Sequence, residues 1–115
     1  MRHPARWSEV LNGPAFVINL DRCPERWAVS RDRLRAAGFA DIRRNPAIDA
    51  LDSASLETGW AACGRPRFDP SDPEFIRQPG KQGCFLSHVL LWKAMVRDRV
   101  PFACVFEDDV MFHTL

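Results

Sequence analysis

The chain predicts an α/β fold built on a mainly parallel sheet. Three observations carry that expectation. Residues 15–20 (Ala-Phe-Val-Ile-Asn-Leu) and 102–106 (Phe-Ala-Cys-Val-Phe) are short apolar runs rich in β-branched and aromatic residues. A weaker run lies between Ile42 and Ile48, and helical patterns fall between the runs, in the order β-α-β-loop-α-β. Sheets of this kind bind ligands in the crevice outside the carboxyl ends of their strands, so the residues just past each strand are the first candidates for function.

The first strand, residues 15–20, follows the turn signal Asn12-Gly13-Pro14. Asp21 and Cys23 come next, then Pro24 at a favoured first helical position with Glu25 beside it. Trp27, Leu34 and Ala37 recur at roughly helical spacing, and Gly38 supplies the stop. The second strand, Ile42 to Ile48, ends near Ala47-Ile48-Asp49-Ala50. Residues 64–80 carry Pro66, Pro70, Pro73 and Pro79 with Gly64 and Gly80, which excludes a long helix or a central strand. A loop of that length in a compact domain is usually functional or disordered. Gly83 to about Val96 is apolar on almost every face, which predicts a helix buried on several sides. Arg97-Asp98-Arg99 and Pro101 end it, and the strand from Phe102 runs directly into Glu107-Asp108-Asp109.

Composition narrows the class. A chain of 115 residues with 46% hydrophobic and 27% charged residues is expected to be at most one modest domain, of ordinary globular composition, with a core that is not large. The formal net charge of +1 recruits neither nucleic acid nor an anionic membrane. Arginines cluster locally (Arg22, Arg26, Arg31, Arg33, Arg35, Arg43, Arg44), which reads as one solvated helix face. Cys23, Cys63, Cys84 and Cys104 include no C-x-x-C pair and no histidine at zinc-finger spacing. Met1-Arg2-His3-Pro4 is followed by no apolar signal region, and the longest apolar stretches fall short of a membrane span. The expectation is a reducing cytoplasm and no integral membrane segment.

Three consecutive carboxylates at the exit of a buried strand are costly unless solvent or a cation receives them. In extended backbone Glu107 and Asp109 share a face and Asp108 points away. Two co-facing carboxylates suit Mg²⁺ or Mn²⁺, which bridge protein oxygens to substrate phosphates. The same triplet also suits a solvated acidic turn, or a helix N-cap at Asp108 or Asp109. Asp21-Arg22-Cys23-Pro24-Glu25-Arg26 opens a helix directly after a strand, an anion site to which Arg22 or Arg26 adds a phosphate contact, or simply a capped helix with exposed arginines. Both constellations lie at strand ends and are expected to face one crevice. In Gly83-Cys84-Phe85-Leu86-Ser87-His88 two polar residues interrupt an apolar helix, and a buried Ser or His needs a hydrogen-bond partner. A glycine at the helix start lets a ligand approach the backbone.

The segments FVINLDRCPER (16–26), AIDA (47–50), GCFLSHVLLWKAMV (83–96) and PFACVFEDDVMF (101–112), in this order, resemble glycosyltransferase family 25. That family includes lipopolysaccharide-biosynthesis sugar transferases and collagen galactosyltransferase domains. The resemblance implies a GT-A-like (Rossmann-like) nucleotide-sugar-binding fold. It also implies inverting transfer of a hexose, galactose foremost, from a UDP-sugar to a hydroxyl of lipopolysaccharide or a related glycan or lipid-linked acceptor, by a cytoplasmic protein peripheral at the inner membrane. Glu107, Asp108 and Asp109 are similar to the family's Mn²⁺ or Mg²⁺ and sugar-diphosphate motif. Asn19, Asp21, Arg22 and Arg26 resemble its first nucleotide-contacting turn, and Gly83, Ser87 and His88 its middle signature. Members of the family continue well past the acidic motif, so residues 1–115 are expected to be one incomplete domain, core about 15–112, with the last strand's edge unprotected. Two rival readings are a non-catalytic remnant that binds nucleotide or a partner, and a metal-dependent phosphohydrolase. The second leaves the Gly83–His88 signature unexplained.

Overall fold

The structure, a computed structural model, describes residues 6–64, 73 and 78–113. Its elements are α1 (Trp7–Asn12), β1 (Pro14–Asn19), α2 (Pro24–Ala36), β2 (Asp41–Pro46), α3 (Ser53–Cys63), α4 (Pro79–Arg97) and β3 (Cys104–Glu107). They fall into two compact units, Met1–Pro46 with Asp98–Leu115, and Ala47–Arg97.

The first unit holds a three-stranded sheet of order β2-β1-β3. Both pairings are parallel, Val17 standing opposite Arg44 on one side and Phe106 on the other. The α/β class with a mainly parallel sheet is therefore met. β1 is central and buried along most of its length, Ala15 and Val17 completely so, as expected of a strand that reads as a continuous apolar run. Leu34 and Phe39 complete the buried cluster, with Trp27, Ile42, Cys104, Phe106 and Val110 packed around it. Phe39 meets Phe106 edge to face at 5.4 Å between ring centroids. Burial pushes the Cys104 thiol above its ordinary pKa, which keeps it a neutral core side chain at neutral pH.

α2 starts at Pro24 as expected and presents Trp27, Ser30 and Leu34 to the core, while Ala37 is exposed rather than part of the stripe. Its stop is a Schellman motif. The Phe39 amide donates to Leu34 O at 3.1 Å and the Gly38 amide to Arg35 O at 3.0 Å, with Gly38 at φ +103°. A Cβ on Gly38 would meet Leu11 only at ordinary contact distance, so the cost of a side chain there is conformational. Gly38→Ala is expected to lower stability by about 1–2 kcal/mol in urea unfolding. An unchanged midpoint would contradict this account of the stop.

Arg43 and Arg44 lie on β2, not on the helix face expected of the arginine cluster. Arg43 grips Asp41 with Nε and Nη2 at 2.9 and 2.8 Å, and this hydrogen bonding holds the Asp41 carboxyl below its usual range. A depressed folded pKa stabilises the fold above the ordinary carboxylate pKa, and the contribution disappears as pH falls through the folded value. Both side chains are more than a third exposed, so Asp41→Asn is expected to cost under about 0.5 kcal/mol at pH 7. That difference should vanish in unfolding curves recorded well below the ordinary carboxylate range.

The second unit packs α3 against α4. Asp52 caps α3, its Oδ1 accepting from the Ala54 and Ser55 amides. Gly59 on α3 leaves room for Ile48 and Leu86, whose side-chain atoms lie 3.2 Å from where a Cβ would stand. The Trp60 indole N–H donates to Gln82, and Lys93 Nζ donates to the carbonyls of Ala62 and Cys63 at the end of α3. α4 begins at Pro79, a favoured first-turn residue, four residues before the expected start. Only Gly83, Leu86, Ser87 and Leu91 are buried along it, and Trp92 and Val96 are exposed, so the expected burial on several sides is not met. Of the proline-rich segment 64–80, Gly64 ends α3 and Pro79-Gly80 open α4. Apart from Pro73 and Gln78, the rest lies outside the described residues. Among the described residues no helix is long and apolar enough to cross a membrane.

Candidate functional site at the strand exits

Parallel pairing of β1 with β3 brings the carboxyl ends of both strands to one edge of the sheet. Asn19, the last residue of β1, is 1% exposed and makes the central contact there. Its Nδ2 donates to Asp108 Oδ2 at 2.8 Å and to the Cys23 carbonyl at 3.0 Å. Arg26, from the first turn of α2, reaches the other oxygen of Asp108 at 2.9 Å. Asp21-Arg22 and Glu107-Asp108-Asp109 thus share the edge where the sequence places them.

The acidic triplet departs from the extended geometry. β3 ends at Glu107, and Asp108 and Asp109 form a turn closed by the Val110 amide donating to Glu107 O at 3.2 Å. The alternation that pairs Glu107 with Asp109 on one strand face therefore does not apply. The turn sorts the carboxylates differently. Asp108 is drawn inward, its side chain 12% exposed, while Glu107 and Asp109 stay exposed. α2 holds the turn at a second point, where Arg33 donates to Val110 O at 3.0 Å. Charge in Asp108 is balanced by Arg26 and the Asn19 amide, so its burial is compensated locally.

Arg44 completes the arrangement and is invisible to the motif reading. From β2 its Nε donates to Asn19 Oδ1 at 2.8 Å and its Nη2 to Asn19 O at 3.1 Å, and Nη2 also pairs with the exposed Asp21. Arg22 is exposed at the start of the turn. The N-cap of α2 is Cys23, whose side chain makes no capping hydrogen bond to the first amides.

The remaining candidates belong to the second unit. Ser87 has the partner its burial demands: Oγ donates to Gly83 O at 2.7 Å and accepts from the Ile48 amide at 2.9 Å. A Cβ on Gly83 would stand 2.9 Å from Ile48 O and 3.3 Å from the Ala50 Cβ. The close approach at Gly83 is made by the chain's own 47–50 segment, not by a ligand at a helix start. Two separated motif pieces, AIDA and GCFLSH, are thereby one packed contact. Asp49 in that segment is fixed by its amide donating to Ser55 Oγ and its Oδ1 accepting from Leu51 N. His88 is half-buried, its ring 6.0 Å from Trp92.

The sequence pattern described as glycosyltransferase family 25 (LPS biosynthesis protein) matches residues 12–115, which include every candidate above. The chain belongs to glycosyltransferase family 25. Its relatives include a fruit-fly (Drosophila melanogaster) glycosyltransferase 25 family member, 36% identical over 104 residues, and mouse (Mus musculus) procollagen galactosyltransferase 2, 32% identical over 101. Each alignment covers 84% of this chain and 16% of the relative. A cattle (Bos taurus) relative named probable inactive glycosyltransferase 25 family member 3 is 32% identical over 98% of this chain and 19% of its own length. The chain thus spans less than a fifth of the curated relatives it matches. No solved structure matches it.

Among the described residues of this family-25 chain, Arg44 is a site residue that no motif marks. Its signal lies in topology: a cation near the end of the strand that pairs beside β1 is within reach of the β1 exit.

Proposed function

We propose that this chain is a donor-side part of a sugar transferase that moves a hexose, galactose foremost, from a UDP-sugar to a hydroxyl of lipopolysaccharide or a related, lipid-linked glycan. The observation that carries the reading is the strand-exit network, in which Asn19 and Arg26 tie the acidic turn to the first turn after β1. Arg22, Arg26 and the start of α2 offer donors for a diphosphate. The oxygen donor set fits a hard divalent cation. Glu107, Asp108 and Asp109 would hold Mn²⁺ or Mg²⁺, with Asp108 also accepting from Asn19 and Arg26 and so fixing the turn. Such an ion neutralises charge on a departing diphosphate. Asn19 and Asp21 shape the nucleotide turn. Gly83 and Ser87 serve the donor by fixing the 47–50 segment, and His88 adds a polar group on the same helix. The chain's place of action would be the cytoplasm, peripheral at the inner membrane.

Titration calorimetry with UDP is expected to give binding that needs Mn²⁺ and falls at least about tenfold in Asp109→Asn. Equal heats with Mn²⁺ and with EDTA would sink the metal part of the reading. A second reading, a family member that binds without transferring sugar, is favoured by the relatives named inactive. Transfer of radiolabelled galactose from UDP-galactose to a glycan acceptor by the chain would overturn this second reading.

A further inference from the structure

We propose that Arg44 is the positioning residue of the strand-exit site: it anchors the Asn19 side chain through Oδ1 and, through it, seats Asp108 beside Arg26. The inference rests on the donor-site reading for its functional consequence but not for its geometry. An asparagine amide has one accepting and one donating end of nearly equal size, so its packing alone leaves the two orientations close in energy. Asn19 is buried with partners on both sides, and only one orientation satisfies them. The guanidinium of Arg44 has five donors and no acceptor, so the end facing it must be Oδ1. That leaves Nδ2 facing Asp108 Oδ2 and the Cys23 carbonyl, which both accept.

The grip is bidentate. One edge of the guanidinium, Nε and Nη2, holds the side-chain and main-chain oxygens of the same residue, and Asp21 shares Nη2. A lysine ammonium carries charge without this planar fork, so it cannot fix both oxygens at once. Without Arg44, Oδ1 loses its charged donor and the Asn19 side chain is held from the Nδ2 side alone, so Asn19 and Asp108 lose their common anchor on β2. Asp108 would then shift, and with it the turn that carries Glu107 and Asp109.

Arg44→Met and Arg44→Lys in the full chain provide the test, read in two ways. In ¹⁵N NMR the Asn19 side-chain amide protons are expected to exchange slowly in the wild type, and at least about tenfold faster in Arg44→Met with the backbone spectrum retained. Unchanged Asn19 exchange in Arg44→Met overturns the proposal whatever the ligand result. In the second arm, Mn²⁺-dependent UDP affinity is expected to fall about tenfold or more in Arg44→Met and to recover only partly in Arg44→Lys, at temperatures where both remain folded. Full recovery in Arg44→Lys overturns the role of the fork. A wild-type chain that binds no UDP overturns the donor reading alone, because the amide exchange still decides Arg44.

Discussion

Asn19→Ala is expected to lower the stability of the chain by about 2–4 kcal/mol, a large part of what a domain of this size possesses. The side chain is 1% exposed and makes three hydrogen bonds, two of them to charged groups. Truncation withdraws one partner from Arg44 and one from Asp108, and an unmatched buried polar group costs more than a normal hydrogen bond contributes. Arg26 still holds Asp108 and Asp21 still holds Arg44, which keeps the loss below that of an isolated buried charge. Urea unfolding with an unchanged slope measures it. A loss under about 1 kcal/mol would mean that the network is redundant. Asn19→Asp sharpens the test, because it keeps volume and the acceptor for Arg44. It replaces the donor facing Asp108 by a second carboxylate, and like charges at hydrogen-bond distance repel. Asn19→Asp should therefore bind UDP with Mn²⁺ far more weakly than its retained fold predicts.

What could be read from the residues follows how local each signal is. β1 declares itself because it is central and buried, so its run is continuously apolar. α2 carries its start in Pro24 and its stop in Gly38, both within a few residues of the effect. The meeting of Asp21-Arg22 with the acidic triplet follows from strand-end placement alone, once the sheet is taken as parallel. Arg44 is different. Nothing in Asp-Ile-Arg-Arg-Asn-Pro separates it from Arg43, which pairs locally with Asp41 and stays at the surface. Its role depends on a strand pairing that joins residues 25 positions apart. The inward turn of Asp108 is hidden for a similar reason, since its partners come from β1 and α2. α1 is six residues long, too short to mark itself by periodicity. In α3 the mid-helix Gly59 counts against a helix locally, and its reason is the bulk of Ile48 and Leu86 beside it.

The same logic makes Gly83 the second position of large effect. A valine there is expected to cost about 3 kcal/mol, well beyond the usual range for an exposed helix position. Helix propensity favours replacing glycine by about 1 kcal/mol for alanine and by less for a β-branched residue. Against that gain stands a contact at 2.9 Å with Ile48 O, a main-chain atom that no rotamer change can move aside. Relief requires the 47–50 segment to back away from α4. That movement lengthens the bond from the Ile48 amide to Ser87 Oγ, so overpacking and a stranded half-buried amide arise together. Ser87→Ala removes the acceptor without adding volume, and is expected to cost about 1–2 kcal/mol. Hydrogen exchange at the Ile48 amide reads both variants directly, since its protection depends on the contact in question. Exchange should accelerate in Ser87→Ala and in Gly83→Val alike, while the amides of β1, in the other unit, keep their protection. Loss of protection across both units would mean that Gly83 supports the whole chain. Wild-type exchange at Ile48 in Gly83→Val would show that the segment accommodates the added carbon atoms, and that glycine at this position answers to something other than packing.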